Sequence, residues 1–317
     1  MAADPVSIPA FSGLLEEKLP SHCRFQRGKV RDIVTSGNRM VMTTSDRISA
    51  FDTVLGLVPS KGEVLNQISL YWFDKTRDIV PNHVETELSS RTVAVRQCEP
   101  LPVEVVVRGY LTGSAFRDYQ AGRAVSGIEL PAGMKFNQRF AEPLVTPSTK
   151  AEAGVHDRPI SEEEIVASNL VEPELWSQIR SVALRLYHRG SAIAARRGLI
   201  LVDTKYEFGL LDGTLTLIDE IHTPDSSRYW FEDSYEELFR RGEKQRKLDK
   251  EFLRQWLMEK GYQGEGEPPL IPHDMLSEVG LRYREAFALI TGANLIPESP
   301  SPEAETAKVL SYLEHGR

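Results

Sequence analysis

Cysteine is nearly absent: the 317 residues include two, Cys23 and Cys98, far apart in the chain. A disulfide framework or a thiolate metal site needs more, so both are read as free thiols in a reducing compartment. No apolar run reaches the roughly 20 residues that span a bilayer. The opening MAADPVSIPAFSGLLEEKLP lacks the basic start and long apolar stretch of a secretory signal. A soluble, cytoplasmic chain is the expectation. A basic excess is missing too: 38 Lys and Arg face 46 Asp and Glu, a net charge of -8. That balance argues against a duplex-binding surface, and neither nucleic acid nor membrane is expected as a partner. No internal repeat is visible. The phosphate-binding signature GxxxxGK[ST] does not occur, and neither do the HRD and DFG motifs of protein kinases.

What is present is ordinary for a folded chain: 41% hydrophobic and 26% charged residues, enough for a core in one to three lobes. GKVRDIVT and NRMVMTTS read as strands split by a turn at Ser36-Gly37-Asn38. Residues 61–80 place Val64, Ile68, Tyr71, Trp72 and Lys75 at helical spacing. A strand follows at 101–111. Residues 121–158 are rich in turn formers, with weak periodicity, and a loop that long tends to be functional or disordered. Ser161 is a plausible N-cap before SEEEIVASNL, and Pro173 separates that helix from one over 175–197 with Ile179, Val182, Leu186 and Ile193 as its stripe. Two β-rich runs flank Asp212-Gly213, a type I′ turn signal. The last third is helical. The fold class is therefore α+β: a β-rich N-terminal lobe over 1–110, a central α+β lobe over 111–258, and a helical extension over 259–317.

The hairpin carries the densest chemistry. Asp203, Lys205 and Glu207 alternate with Val202, Thr204, Tyr206 and Phe208, so the charged side chains share one face. A two-residue turn pairs Lys205 with Glu220 and Tyr206 with Asp219; a one-residue slip brings Asp219 to the charged face instead. Carboxylates so grouped repel one another, and a divalent cation such as Mg2+ removes that penalty. An outward-facing strand laced by Lys–Glu pairs is the plain alternative. The next segment, HTPDSSRYW, adds Arg228, whose fork suits phosphate or carboxylate, and the hydroxyls of Ser226 and Ser227. His222 is read as structural. RGKVR gathers Arg27, Lys29 and Arg31 around Gly28; a hairpin carrying Gly and Lys can fold over phosphates, although on its own Gly-Lys is usually just a turn edge. EVVVRGYLTGSAF sets Arg108 at a strand end and Ser114 after a glycine, a reasonable phosphate clasp. TTSDRISAFD reads on its own as a polar turn. TPSTKAEAGVHDRPIS collects Lys150, Glu152, His156, Asp157 and Arg158 in the long loop.

In one order along residues 27–257, the blocks GKVRDIV, TTSDRISAFD, KGEVLNQIS-YWF, EVVVRGYLTGSAF, TPSTKAEAGVHDRPIS, LVDTKYEFG and IDEIHTPDSSRYW resemble the SAICAR synthetase family, with a weaker echo in LDKEFLRQWL. The resemblance implies a two-lobed α+β fold with an ATP cleft between the lobes. It implies an ATP- and Mg2+-dependent ligase that joins L-aspartate to the carboxylate of a carboxylated aminoimidazole ribotide (CAIR) through an acyl phosphate, giving SAICAR in purine biosynthesis. On it, Gly28, Lys29 and Arg31 cover the ATP phosphates, and the strand at Glu104 offers backbone groups to adenine. Lys205, Glu207 and Asp219 are the catalytic set. Glu207 and Asp219, supported by Asp203, hold the metal, with Glu220 as the register-dependent rival. Arg108, Ser114, Asp157, Arg228 and Arg254 hold the ribotide, while Arg47 and Lys150 are candidates for the aspartate carboxylates. A monomer or small homo-oligomer is expected. The competing expectation is a kinase-like small-molecule phosphotransferase.

Overall fold

Runs of β-branched residues at period two and apolar stripes at helical period yield two main antiparallel sheets and eight helices among the described residues. The computed structural model describes residues 9–50, 53–150, 158–248, 251–298 and 300–316. The elements begin with β1 (Arg24–Arg27), β2 (Arg31–Ser36), β3 (Arg39–Thr44), β4 (Arg47–Ala50), β5 (Thr53–Leu57), α1 (Lys61–Thr76), β6 (Val84–Ser89) and β7 (Thr92–Val95). There follow β8 (Glu99–Tyr110), α2 (Gly113–Gln120), β9 (Arg139–Val145), β10 (Ser148–Thr149), α3 (Glu162–Ala167) and α4 (Pro173–Ala195). The chain then forms β11 (Leu199–Leu211), β12 (Thr214–Ile218), β13 (Ser227–Phe231), α5 (Glu232–Arg241), α6 (Glu251–Glu259), α7 (His273–Thr291) and α8 (Pro302–His315). The class is α+β, as expected.

Contacts group these elements into two compact units, one from segments 1–70, 84–97 and 249–317, the other from 71–83 and 98–248. The grouping differs from three consecutive segments in two places. β8, expected at the end of the N-terminal lobe, belongs to the second unit because it pairs with β11 on one side and with β9 and β10 on the other. The C-terminal helices belong to the first unit. Val309, Tyr312 and Leu313 of α8 complete a core with Phe11, Leu14, Val34, Val41 and Ala94, and Arg39 donates to the Tyr312 and Leu313 carbonyls at 3.1 and 2.6 Å.

In the first unit the sheet order is β1-β2-β3-β7-β6, with β4–β5 as a separate pair. Ser36 pairs with Arg39, which places the β2–β3 turn at Gly37-Asn38. The TTSDRISAFD block supplies an internal frame. Asp46, fully buried, accepts the backbone N–H groups of Phe11 (2.8 Å), Ser60 (3.3 Å) and Gly62 (2.8 Å). Arg91, also fully buried, donates to Asp46 Oδ1 at 3.1 Å and to Thr44 O at 3.2 Å. Its Nη2 lies 3.2 Å from Glu63 Oε1, as an ion pair without hydrogen-bond alignment.

The second unit is built on the order β10-β8-β11-β12, with β13 also on β11 and β9 also on β8. Asp212 and Gly213 both have positive φ, 50° and 77°, as a type I′ turn requires. The pairs Leu211–Thr214 through Glu207–Ile218 carry the expected register along β12. Ile179, Val182 and Leu186 of α4 are buried, and the Tyr187 hydroxyl donates to Leu201 O at 2.8 Å, tying the helix to β11. Pro173 is not a separator; it is the first residue of α4, where its missing N–H costs nothing. Ser161 caps α3 by accepting from Glu164 N at 3.1 Å.

Candidate active site

The central pair of strands sets the site. Along β11–β8 the partners are Asp203–Arg108, Lys205–Val106 and Glu207–Glu104. Cross-strand partners share a face, so Asp203, Lys205 and Glu207 stand beside Arg108 and Glu104. Asp203 and Glu207 are four residues apart, about 13 Å along a strand. The face therefore carries two clusters.

The first holds Lys205, Glu207, Glu104, Lys150 and Asp219. Lys205 Nζ donates to Glu104 Oε1 at 2.5 Å and to Glu207 Oε1 at 2.8 Å. Lys150 Nζ donates to the other Glu207 oxygen at 2.5 Å. Burial lowers the pKa of Lys205, but Glu207, Glu104 and Asp219 outweigh it and raise the pKa above the usual lysine value. Burial likewise opposes charge on Glu207, yet the Lys205 and Lys150 ammonium groups hold it well below the usual carboxylate range. Lys205 is thus a fixed cation and Glu207 a fixed anion at neutral pH. Neither is poised to exchange a proton; both are suited to electrostatic work.

Asp219 reaches this cluster through a backbone break. Its φ is 67°, so β12 ends at Ile218 and Glu220 does not continue the ladder opposite Lys205. Glu220 Oε2 instead accepts from Thr223 Oγ1 at 2.5 Å. Asp219 acts on Lys205 electrostatically. The left-handed conformation at Asp219 is one that Asp tolerates better than most.

The second cluster holds Arg108, Asp203, Arg228, Ser114 and Thr146. Arg108 donates from Nε to Thr146 Oγ1 at 2.8 Å, from Nη1 to Asp203 Oδ2 at 3.4 Å and from Nη2 to Ser114 Oγ at 3.3 Å. Arg228 Nε lies 3.1 Å from the other Asp203 oxygen. Its guanidinium rests against Gly113, where a Cβ would fall 2.1 Å from Nη1. Burial lowers the Arg108 pKa and Asp203 opposes the shift; an arginine remains charged through such a shift. Asp203, expected to support a metal, has one oxygen facing the Arg108 guanidinium and the other facing that of Arg228.

Other expected residues fall as follows. Glu104 was expected to offer its backbone to adenine. It lies between Ser148 on one neighbouring strand and Glu207 on the other, so its backbone belongs to the sheet interior and its carboxylate faces Lys205. Gly28, Lys29 and Arg31 are in the first unit, where Gly28 and Lys29 are exposed and Gly28 N donates to Arg31 O at 2.7 Å. Arg47, a candidate for the aspartate carboxylates, is buried and its guanidinium is engaged by protein acceptors. Ser227 donates to Thr204 Oγ1 at 2.8 Å and Ser226 hydrogen-bonds within its own loop, so these hydroxyls brace the backbone. Asp157 and the Arg254 side chain lie outside the described residues. His222 is structural, as read: it is fully buried, its Nε2 is 2.6 Å from the Tyr206 hydroxyl, and burial lowers its pKa to about 3. Sequence reasoning missed Thr146 and the Glu104 side chain. The signal was there, since Glu104 and Arg108 alternate along β8 as Asp203, Lys205 and Glu207 do along β11.

Carboxylate oxygens are the donors magnesium takes, and magnesium bound with phosphates needs only one or two protein carboxylates. Among the described residues no group of three His, Cys, Asp or Glu side chains is placed to hold a metal. Glu207 and Asp219 thus fit an ion that arrives with phosphate, not a closed protein cage. Each Glu207 oxygen faces an ammonium group, Lys205 on one side and Lys150 on the other.

Cations and carboxylates gathered on one sheet face suit phosphate and carboxylate groups, and similar proteins give the class as a ligase. The chain is 51% identical over 303 residues to the phosphoribosylaminoimidazole-succinocarboxamide synthase of Bacteroides fragilis, covering 93% of this chain and 96% of the relative. It is 49% identical to the same enzyme of Bacteroides thetaiotaomicron, with the same coverage. The SAICAR-synthase of Saccharomyces cerevisiae, solved with SAICAR bound, superposes with a TM-score of 0.77 at 33% identity, covering 88% of this chain and 98% of that one. The sequence profile of SAICAR synthetase matches residues 24–269. The chain belongs to the SAICAR synthetase family, whose members carry out ATP-dependent ligation of CAIR and aspartate in purine biosynthesis.

Proposed function

We propose that this chain performs that ligation through an acyl phosphate, with the charged face of β8 and β11 as its reaction surface. A carboxylate is a poor acyl donor. An oxygen of the CAIR carboxylate attacks the γ-phosphorus of ATP, and ADP leaves. The aspartate amine then attacks the acyl carbon, phosphate leaves, and the amine loses a proton. Phosphoryl transfer of this kind needs alignment and charge neutralisation more than covalent help.

Lys205 supports this reading most directly. Held as a cation by Glu104, Glu207 and Asp219, it neutralises charge on the transferring phosphoryl group without acting as a base. Gly28, Lys29 and Arg31 hold the ATP phosphates. Glu207 and Asp219 hold the magnesium ion, which supplies further charge neutralisation on phosphate when bound. Arg108, Ser114 and Arg228 hold the ribotide phosphate or its ring substituents; the two guanidinium groups, kept in place by Asp203, offer the forked donors that phosphate and carboxylate accept. Lys150, on Glu207, contributes a second ammonium group to the reaction surface.

The test is an ADP-release assay with ATP and CAIR, with aspartate present and omitted. Sustained ADP release that requires aspartate is expected, with one succinocarboxamide formed per ADP. Equal sustained release without aspartate, with a stable phosphorylated product, would assign the chain to the phosphotransferases instead.

A further inference from the structure

The amino-terminal arm and the Gly28–Lys29 turn meet on one buried guanidinium. Arg47 donates from Nη1 to Ser12 O at 2.6 Å and from Nε to Lys29 O at 3.2 Å. From Nη2 it donates to Gly28 O at 3.0 Å and to Asp32 Oδ1 at 2.7 Å. Asp32, fully buried, accepts Leu14 N on its other oxygen at 2.7 Å. The next carbonyl of the turn, Val30 O, accepts from Ser45 N at 2.8 Å and from Ser45 Oγ at 2.6 Å. Three consecutive carbonyls are therefore held by Arg47 and Ser45. In a trans peptide the C=O and the following N–H point opposite ways, and no cis bond occurs among the described residues. The N–H groups of Lys29, Val30 and Arg31 accordingly face away from Arg47 and Ser45.

The arm is shaped for this junction. Gly13 has φ of 139°, and a Cβ there would fall 2.4 Å from Asp32 Oδ2 and 2.6 Å from Arg47 Nη1. A cation needed only to neutralise Asp32 would not require three backbone carbonyls from two separate segments, two of them in the exposed turn.

We propose that Arg47 is a positioning residue for ATP: it fixes the Gly28–Lys29 turn in the form that receives phosphates and ties that turn to the arm at Ser12. This rests on the reading of the turn as the ATP-phosphate flap. Arg47→Lys keeps the charge beside Asp32 but loses the planar fork that reaches several acceptors. Its apparent KM for ATP is expected to rise about tenfold, the scale of one lost charge-assisted hydrogen bond, while the KM values for CAIR and aspartate stay unchanged. Lys29→Ala is measured alongside. If Lys29→Ala leaves the ATP constant unchanged, the flap reading falls. If Lys29→Ala raises it and a folded Arg47→Lys does not, the positioning role alone falls. Should Arg47→Lys fail to fold, as judged by thermal melting, Gly13→Ala takes its place, because its Cβ displaces Arg47 Nη1 and Asp32 Oδ2; the same selective rise supports the proposal. A parallel rise in all three constants would mark Arg47 as a support for the whole fold and overturn it.

Discussion

Two charged networks in this protein use the same residue types to different ends. In the first unit Arg91, Asp46 and Glu63 have side chains with no solvent exposure, and Asp46 is occupied by three backbone N–H groups. In the second unit the Lys205 and Lys150 side chains remain 31% and 40% exposed, and they converge on the Glu207 carboxylate, with Lys205 also on that of Glu104. A network sealed by backbone partners has no direction in which to meet a ligand. One that faces solvent, with its cations held charged, can exchange protein partners for phosphate oxygens. The difference lies in what the charges touch, since the composition is nearly the same.

The comparison breaks most readily at Arg91. Arg91→Ala strands Asp46 and Glu63 as buried charges, and a loss of about 3–5 kcal/mol is expected, typical of breaking a buried pair. Urea unfolding measures it, and the fraction that stays folded should turn over normally. A smaller effect comes from His222, which lies in the unit of the reaction surface yet is sealed like the first network. Its folded pKa is lowered to about 3 from 6.5, so the unfolded chain binds a proton that the folded chain refuses. The stabilisation is complete above pH 6.5 and is lost as pH falls toward 3. At pH 5 the loss is about 2 kcal/mol, from a slope of about 1.4 kcal/mol per pH unit. Urea titrations at pH 7.5 and pH 5 test this, and His222→Phe should remove that part of the difference. Glu207 adds its own acid sensitivity only at lower pH, because its pKa is depressed from 4.5 and its stabilisation is lost as pH falls below that value. The smallest expected effect is at Arg228: Arg228→Ala should raise the KM for CAIR about tenfold, as one lost charged hydrogen bond would, and leave the ATP constant alone. An effect confined to ATP would move Arg228 to the other substrate.

Much of this contrast was legible in the sequence where it depends on local periodicity. Alternation placed Asp203, Lys205 and Glu207 on one face, and Asp212-Gly213 fixed the β12 register that the structure shows. What depends on distant partners was not legible. Glu104 meets Lys205 because β8 and β11, about a hundred residues apart, pair in a particular register, and α8 docks on the first unit through a face whose partner no local pattern names. The break at Asp219 is a single left-handed residue that propensity does not locate. Asp203 is a different case. The strand rise alone separates it from Glu207, and its pairing with Arg228 follows from the β13 register.

Lys205, a fixed cation, serves phosphoryl transfer in the proposed reaction. The direct test is the turnover of Lys205→Ala with saturating ATP, CAIR and aspartate, together with its melting temperature. The expected result is a fall in kcat of at least about a hundredfold, the scale of removing a preorganised electrostatic stabiliser, with a melting temperature close to that of the parent. Near-normal kcat in a folded Lys205→Ala protein would rule out that role for Lys205.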